Sequence, residues 1–228
     1  MQLKVLTYNI KHGLGNDGRI DLARILEVIR KSNADIIGLN EVDRYLPRSR
    51  FRYQTRWLAR KLKMEYRFGP GYRKFFGQAG NALLCRFPIL RSENIFLTSF
   101  KEQRVALRIS VNIGSSEVIV ISTHLGLSSD ERIVQTKELM NLIEKEKSPV
   151  VLMGDFNASP ELEELKTVAN RLSDVMEENN SKATFPSKNP KSRIDYIFIS
   201  ENCVIINANI IESEASDHLP VFAALEVQ

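Results

Sequence analysis

The stretch IDYIFISENCVIINANIIESEASDHLPVFAALE, residues 194–226, contains three apolar, β-branched runs at 194–199, 203–211 and 219–226, separated by short polar segments. Such runs, bounded by Ser, Asn, Asp and Pro, read as strands, and strands joined by short turns pair antiparallel. Upstream, the apolar period marks further strands near 2–9, 35–39, 81–85, 104–112, 117–123 and 149–153. Helical spacing occurs at about 21–31, where Leu22, Ile25, Leu26 and Ile29 share a face behind the N-cap Asp21. It recurs at about 130–145 with Ile133, Leu139, Met140 and Ile143, and a third, short helix is expected after Ser159-Pro160. Early strands alternate with helices and late strands do not. The expected fold class is therefore α/β, with two mostly antiparallel sheets flanked by helices and no purely parallel doubly wound sheet.

The chain has 228 residues, of which 43% are apolar and 26% charged, so it is expected to form one domain over 1–228 and is not globally disordered. No apolar run approaches the roughly 20 residues that span a bilayer, so no integral membrane segment is expected. The strand pattern begins at Leu3, which leaves no room for a signal peptide and predicts a cytoplasmic protein. A monomer is expected. Cys85 and Cys203 stand singly in apolar stretches, without the spacing of a disulfide framework or a zinc site. The polar stretch 177–192 reads as a loop.

Charge is unevenly placed. From Arg44 to Lys74 there are eleven basic residues against one acid, Glu65, giving that segment +10 in a chain of net +4 and leaving −6 for the remainder. Such a block can hold a polyanion through phosphate contacts. Equally, Tyr53 to Lys63 can form a helix with Trp57, Leu58 and Leu62 packed inward and its cations solvating the outer face.

Polar residues interrupt the apolar pattern at consistent places. Asn9 ends the first strand, Glu41 follows the second, His124 ends another, and Asp155 and Asn157 follow 150–153. Asp217 and His218 precede a strand, and between antiparallel neighbours the start of one lies beside the end of the next. Each residue alone reads as an ordinary turn former. Together they form a set of carboxylates, amides and imidazoles without thiolates, which suits a hard cation such as Mg²⁺ or Mn²⁺ together with a substrate phosphate. An imidazolium can stabilise charge on a phosphoryl oxygen while a carboxylate orients and deprotonates water, so the set reads as a kit for phosphoester hydrolysis.

The ordered motifs TYNI (7–10), LNEVD (39–43), GNALLCRFPI (80–89), STHL (122–125), GDFNASP (154–160), RIDYIF (193–198) and SDHLPV (216–221) resemble the endonuclease/exonuclease/phosphatase superfamily over nearly the whole chain, most closely its small single-domain bacterial members. The resemblance implies a four-layered α/β sandwich and a Mg²⁺- or Mn²⁺-dependent phosphoric ester hydrolase. It makes Glu41, Asn9 and Asp217 the metal-side residues, with Glu41 the principal ligand. Asp155 becomes the water-orienting base, Asn157 the residue that steadies it, and His218 the phosphate-contacting histidine oriented by Asp195. His124 takes a second phosphate-contacting position. Asn81, Arg104 and His12 are substrate-side candidates. Asn40 departs from the pattern, because relatives usually place Gln before the metal Glu, and a supporting hydrogen bond is expected to change there.

Three functions follow. The first is a phosphodiesterase with nuclease-like activity, its phosphoester substrate DNA or RNA held by the basic segment. The second applies the same chemistry to a lipid or inositol/sugar-phosphate headgroup, as a phospholipase C-like diesterase or a phosphomonoesterase. The third is an inert nucleic-acid-binding module, against which stands the presence of every acidic and imidazole position of the motif set.

Overall fold

In the computed structural model, which describes residues 1–74, 76–177 and 182–228, two six-stranded sheets stack face to face. The first contains β1 (Gln2–Asn9), β2 (Ile36–Arg44), β3 (Glu65–Lys74), β4 (Gly77–Cys85), β11 (Cys203–Ile210) and β12 (Val221–Val227), in the spatial order β11-β12-β1-β2-β4-β3. The second contains β5 (Ile89–Phe96), β6 (Val105–Ile113), β7 (Ser116–His124), β8 (Val150–Asp155), β9 (Ser173–Asp174) and β10 (Asp195–Ile199), ordered β5-β6-β7-β8-β10-β9. The β1–β2 and β7–β8 pairs are parallel and the other pairings antiparallel. Each parallel pair needs a crossover connection, and α1 (Leu22–Ser32) and α3 (Ser129–Ile143) supply them.

The alternation of each strand sorts its side chains into two cores. Between the sheets, Leu3, Val5 and Leu83 pack against Val120, Val151 and Ile197. On the outer face of the first sheet, Leu6, Tyr8, Ile37 and Leu39 bury the apolar faces of α1 and α2 (Gln54–Leu62). On the outer face of the second, Ile121, Leu152 and Phe156 cover α3 and α4 (Glu163–Ala169). The result is helices, sheet, sheet, helices: four layers.

Several boundaries differ from the sequence reading. β2 runs on past Leu39 to Arg44, so Glu41 lies within the strand instead of after it. The expected short helix begins at Glu163, three residues beyond Pro160. β3, β5 and the two-residue β9 were not anticipated; each lies at an edge of its sheet, where polar sequence is tolerated, whereas the fourth edge strand, β11, is apolar and was expected at 203–211. Within the basic segment α2 buries Leu58, with Trp57 and Leu62 packed against it. Of the polar stretch 177–192, residues 178–181 lie outside the described residues, and 182–192 form a loop closed by a bridge between Phe185 and Ser192. Cys85 and Cys203 are both buried and free. No helix among the described residues is long and apolar enough to cross a membrane.

Candidate active site

The inter-sheet core turns polar at one rim, and the change follows from strand periodicity. Stepping by two from the buried Val5 leads to Thr7 and Asn9, from Val120 to Ser122 and His124, and from Val151 to Met153 and Asp155. From Leu83 the same step leads back to Asn81, and from Ile197 back to Asp195. The inward-facing positions at the end of each strand are thus the polar ones. β12 brings its preceding loop, with Ser216, Asp217 and His218, beside the end of β1, where Ser216 Oγ donates to the Asn9 carbonyl at 2.8 Å.

Two backbone features complete the rim. The pairing of β2 with β4 shifts register between Leu39 and Val42, and Glu41 has a φ of 55°. Leu39 and Val42 both pack against the helices, so the bulge, which sets Asn40 and Glu41 opposite Asn81 alone, adds one residue and turns both Asn40 and Glu41 toward the sheet interface. At Gly154, with a φ of 145°, an added Cβ would lie 1.9 Å from the Thr123 carbonyl oxygen. Only glycine lets β7 and β8 approach closely enough to set His124 beside Asp155.

Asn40 is fully buried and joins the two sheets. Its Nδ2 donates to Asn81 Oδ1 and to the Thr123 carbonyl, both at 2.9 Å, while its Oδ1 accepts from the Asp155 backbone N–H at 3.1 Å. The shorter amide therefore still makes its supporting bonds. Asn81 in turn donates to the Val105 carbonyl at 3.0 Å.

At the centre lies Asp155. Asn9 Nδ2 donates both to its Oδ2 at 3.0 Å and to Glu41 Oε1 at 3.1 Å, so one amide separates two carboxylates. The Asn157 backbone N–H donates to Asp155 Oδ1 at 2.9 Å, and the Asn157 side chain donates to the Leu125 carbonyl at 3.0 Å. His124 Nε2 approaches Asp155 Oδ2 at 3.4 Å and His218 Nε2 approaches it at 3.8 Å. His218 Nδ1 donates to Asp195 Oδ2 at 2.9 Å, and its ring packs on Phe185 with centroids 4.8 Å apart.

The two imidazoles are driven in opposite directions. Burial pushes His124 down to about 3, aided by the Arg104 guanidinium and opposed by Asp155. Arg104 Nη1 donates to its Nδ1 at 3.3 Å, so the ring is neutral with its proton on Nε2. For His218, burial also favours the neutral ring, but Asp195, Asp155 and Asp217 outweigh it and raise the group to about 10. His218 is an imidazolium at neutral pH.

A hard divalent cation fits this donor set. Burial, with Asp155 adding to it against the Asn9 hydrogen bond, raises the Glu41 carboxyl. No cationic side chain among the described residues lies in ion-pair contact with Glu41. That is the electrostatic state a bound cation would relieve. Asp217 already holds Lys11, Nζ to Oδ2 at 2.6 Å, which leaves Oδ1 the freer oxygen. A second grouping places one ligand atom each of Asp155, Asp195 and His218 within 4.8 Å of one another. Its His218 is protonated and bonded to Asp195, so ligation there would require that proton to leave.

A cleft of about 660 Å³ opens over the rim. Of the residues singled out in the sequence, Glu41, Asn81, Arg104, His124, Asp155, Asn157, Asp217 and His218 line it. Asn9 and Asp195 sit beneath, bonded to residues that do. His12 does not line the cleft; it occupies a one-turn helix after β1, where its carbonyl accepts from Gln54 at 2.7 Å. The sequence reading missed Arg48, Tyr72, Gln103 and Phe185 in the lining and Lys11 beside Asp217. The basic block signalled Arg48; the others carry no motif.

Residues 6–218 match the profile of the Endonuclease/Exonuclease/phosphatase family, and the chain belongs to that family, whose members are metal-dependent phosphoesterases. Escherichia coli (strain K12) YbhP is 27% identical over 254 residues, covering 98% of this chain and 96% of that protein. Protein cwh43 of Schizosaccharomyces pombe is 31% identical over 150 residues, which are 64% of this chain and 15% of that much longer protein. The human Nocturnin catalytic domain with bound sulfate anion superposes with a TM-score of 0.82 at 23% identity, over all of this chain and 94% of that one.

Proposed function

We propose that the protein is a divalent-metal-dependent phosphodiesterase that directs water in line at phosphorus. The carrying observation is Asp155, a buried carboxylate at the floor of an open cleft, faced by a neutral His124 and a protonated His218. Glu41, Asn9 and Asp217 would hold the cation. When bound, it would neutralise charge that develops on the phosphoryl group and on the leaving oxygen.

The chain's own groups supply the rest. Asp155, steadied by Asn9 and the Asn157 backbone, orients the water and accepts its proton. His218 commits Nδ1–H to Asp195 and so presents Nε2–H to a non-bridging phosphoryl oxygen, where a fixed positive charge meets the charge of the transition state. His124 offers a neutral Nε2–H, its other nitrogen held by Arg104. As the water oxygen bonds to phosphorus, the ester P–O bond opposite it breaks; the leaving alkoxide takes a proton from solvent, and Asp155 returns to solvent the proton it accepted.

A diester is favoured over a monoester by the state of the cations around the cleft. Arg48 is held by Asp43 at 3.0 and 2.8 Å, Arg104 by Glu102 at 3.1 Å and Lys11 by Asp217 at 2.6 Å. A dianionic monoester needs more uncommitted positive charge than these leave; a monoanionic diester is matched by His218 and the cation. As for nucleic acid, Arg48 alone of the eleven basic residues lines the cleft, whereas Arg52, Arg56, Arg60 and Lys61 surround Trp57 on α2.

The test is turnover of a soluble aryl phosphodiester and the matching monoester with Mg²⁺ or Mn²⁺, using Asp155→Ala as the contamination control. Chelator-sensitive diester hydrolysis that disappears in Asp155→Ala supports the proposal. Turnover that persists in Asp155→Ala, or in chelator, overturns it.

A further inference from the structure

Beside the cleft lies a second groove of about 440 Å³, lined chiefly by Tyr45, Leu46, Pro47, Phe51, Tyr72 and Phe76. Arg48 and Tyr72 line both, so groove and cleft share a wall. Large apolar side chains stand out here: Phe51 is 64% and Phe76 95% exposed. Across the cleft, Leu127 in its lining is 74% exposed, and Phe100, four residues before Arg104, is 63% exposed. Single exposed apolar residues are ordinary, but a group of aromatics gathered around one opening marks an interaction surface.

Around Phe51 and Phe76 the charge has one sign, while Glu102 stands near Phe100 on the cleft side. Arg50, Arg73 and Lys74 are exposed beside Phe51 and Phe76, within the segment whose sole acid, Glu65, is instead spent on the Ile89 backbone at 3.0 Å. We propose that this aromatic and cationic surface docks on an anionic phospholipid bilayer, so that the cleft meets a phosphodiester presented in a lipid headgroup. Aromatic side chains favour the level of the headgroups, and neighbouring Lys and Arg are drawn to anionic lipid phosphate. Nucleic acid fits the surface less well. Bases need open ring faces, yet of the groove's aromatics Tyr45 already has Arg44 over its ring at 5.5 Å. What remains uncovered protrudes beside the aliphatic Leu46 and Pro47.

The identity of the substrate rests on the phosphodiesterase reading; the docking does not, and the experiment separates them by reading vesicle binding without turnover. Wild-type protein in chelator is sedimented with vesicles of phosphatidylcholine alone and of equal parts phosphatidylcholine and phosphatidylglycerol. Binding to the mixed vesicles is expected, falling by about tenfold or more in Phe51→Ser/Phe76→Ser and by about tenfold in Arg73→Glu/Lys74→Glu. Arg56→Glu/Arg60→Glu, on α2, should bind as wild type. Hydrolysis of a soluble aryl diester should be unchanged in Phe51→Ser/Phe76→Ser, which also shows that the variant folds. The proposal is overturned if mixed vesicles are not bound, if binding survives loss of both phenylalanines, or if Phe51→Ser/Phe76→Ser abolishes binding of a single-stranded oligonucleotide in place of vesicles. A protein that docks but never hydrolyses a diester would sink the proposed reaction and leave the docking standing.

Discussion

Asp155 and Asp195 are direct cross-strand partners between β8 and β10, two carboxylates opposed on the same face of a sheet. Like charges in that position repel. His218 resolves the conflict, with Nδ1 2.9 Å from Asp195 and Nε2 3.8 Å from Asp155, so a single imidazolium serves both. Sheet pairing therefore creates the charge that keeps this histidine protonated.

The first prediction concerns that proton. By NMR of the metal-free protein, the His218 ring should titrate near 10 in wild type and move toward its ordinary value of 6.5 in Asp195→Asn, with kcat falling by about 10²–10³-fold. Folded His218 binds its proton more tightly than the unfolded chain does. The stability it lends is therefore complete below about pH 6.5 and withdrawn as pH rises through about 10. An unchanged His218 titration in Asp195→Asn would refute the account.

Glu41 supplies the second. Added Mg²⁺ or Mn²⁺ should raise the Tm of wild type, since a ligand at about 100 times its Kd adds about 2.7 kcal/mol of stability. In Glu41→Gln most of that increment should vanish. Calorimetry decides: an equal metal-induced shift in both proteins would place the cation elsewhere.

Gly154→Ala should be more damaging than its single methyl suggests. The new Cβ would meet the Thr123 carbonyl oxygen at 1.9 Å, so β7 and β8 must part, separating His124 from Asp155. Reduced soluble yield, or a folded protein with activity down by about 10²-fold, is expected. Wild-type kcat and Tm would contradict the steric argument.

The fourth lies in the outer layer. Arg132 of α3 meets Glu164 of α4 at 2.6 Å, their side chains 8% and 1% exposed, and also donates to the Leu127 carbonyl at 2.7 Å. Arg132→Met leaves a buried carboxylate unpaired at a cost of about 3–5 kcal/mol, lowering Tm by about 6 °C or more. Pairing it with Glu164→Leu should recover much of the loss. A double variant no more stable than the single one would show the ion pair to be incidental.

Much of this arrangement was legible in the chain itself. The two-residue period that sets Val151 and Met153 in the core also carries Asp155 to its end, and His124 and His218 stood out because they fall at the ends of apolar runs. The edge strand β3 was hidden by its own chemistry: it contains Gly69-Pro70-Gly71, tolerated only where one side of a strand lacks a partner. The bulge at Glu41 left no local mark, since the one extra residue between Leu39 and Val42 shows only against the register of β4. Arg48 and Tyr72 reach the cleft through tertiary packing of segments whose composition speaks only of charge and aromaticity. Lys11 was overlooked because a lysine two positions after Asn9 looks like any surface lysine until Asp217 arrives from the other end of the chain.

β12 lies between β11 and β1 in the interior of its sheet, although it is built from residues 221–227. A nascent chain leaving the ribosome therefore possesses every acid and imidazole it will use before it possesses the strand that seats β1 and, with it, Asn9. Assembly of the polar rim must therefore wait for residues 221–227, and a frameshift or proteolytic nick there would unseat Asn9 without removing one of the acids or imidazoles.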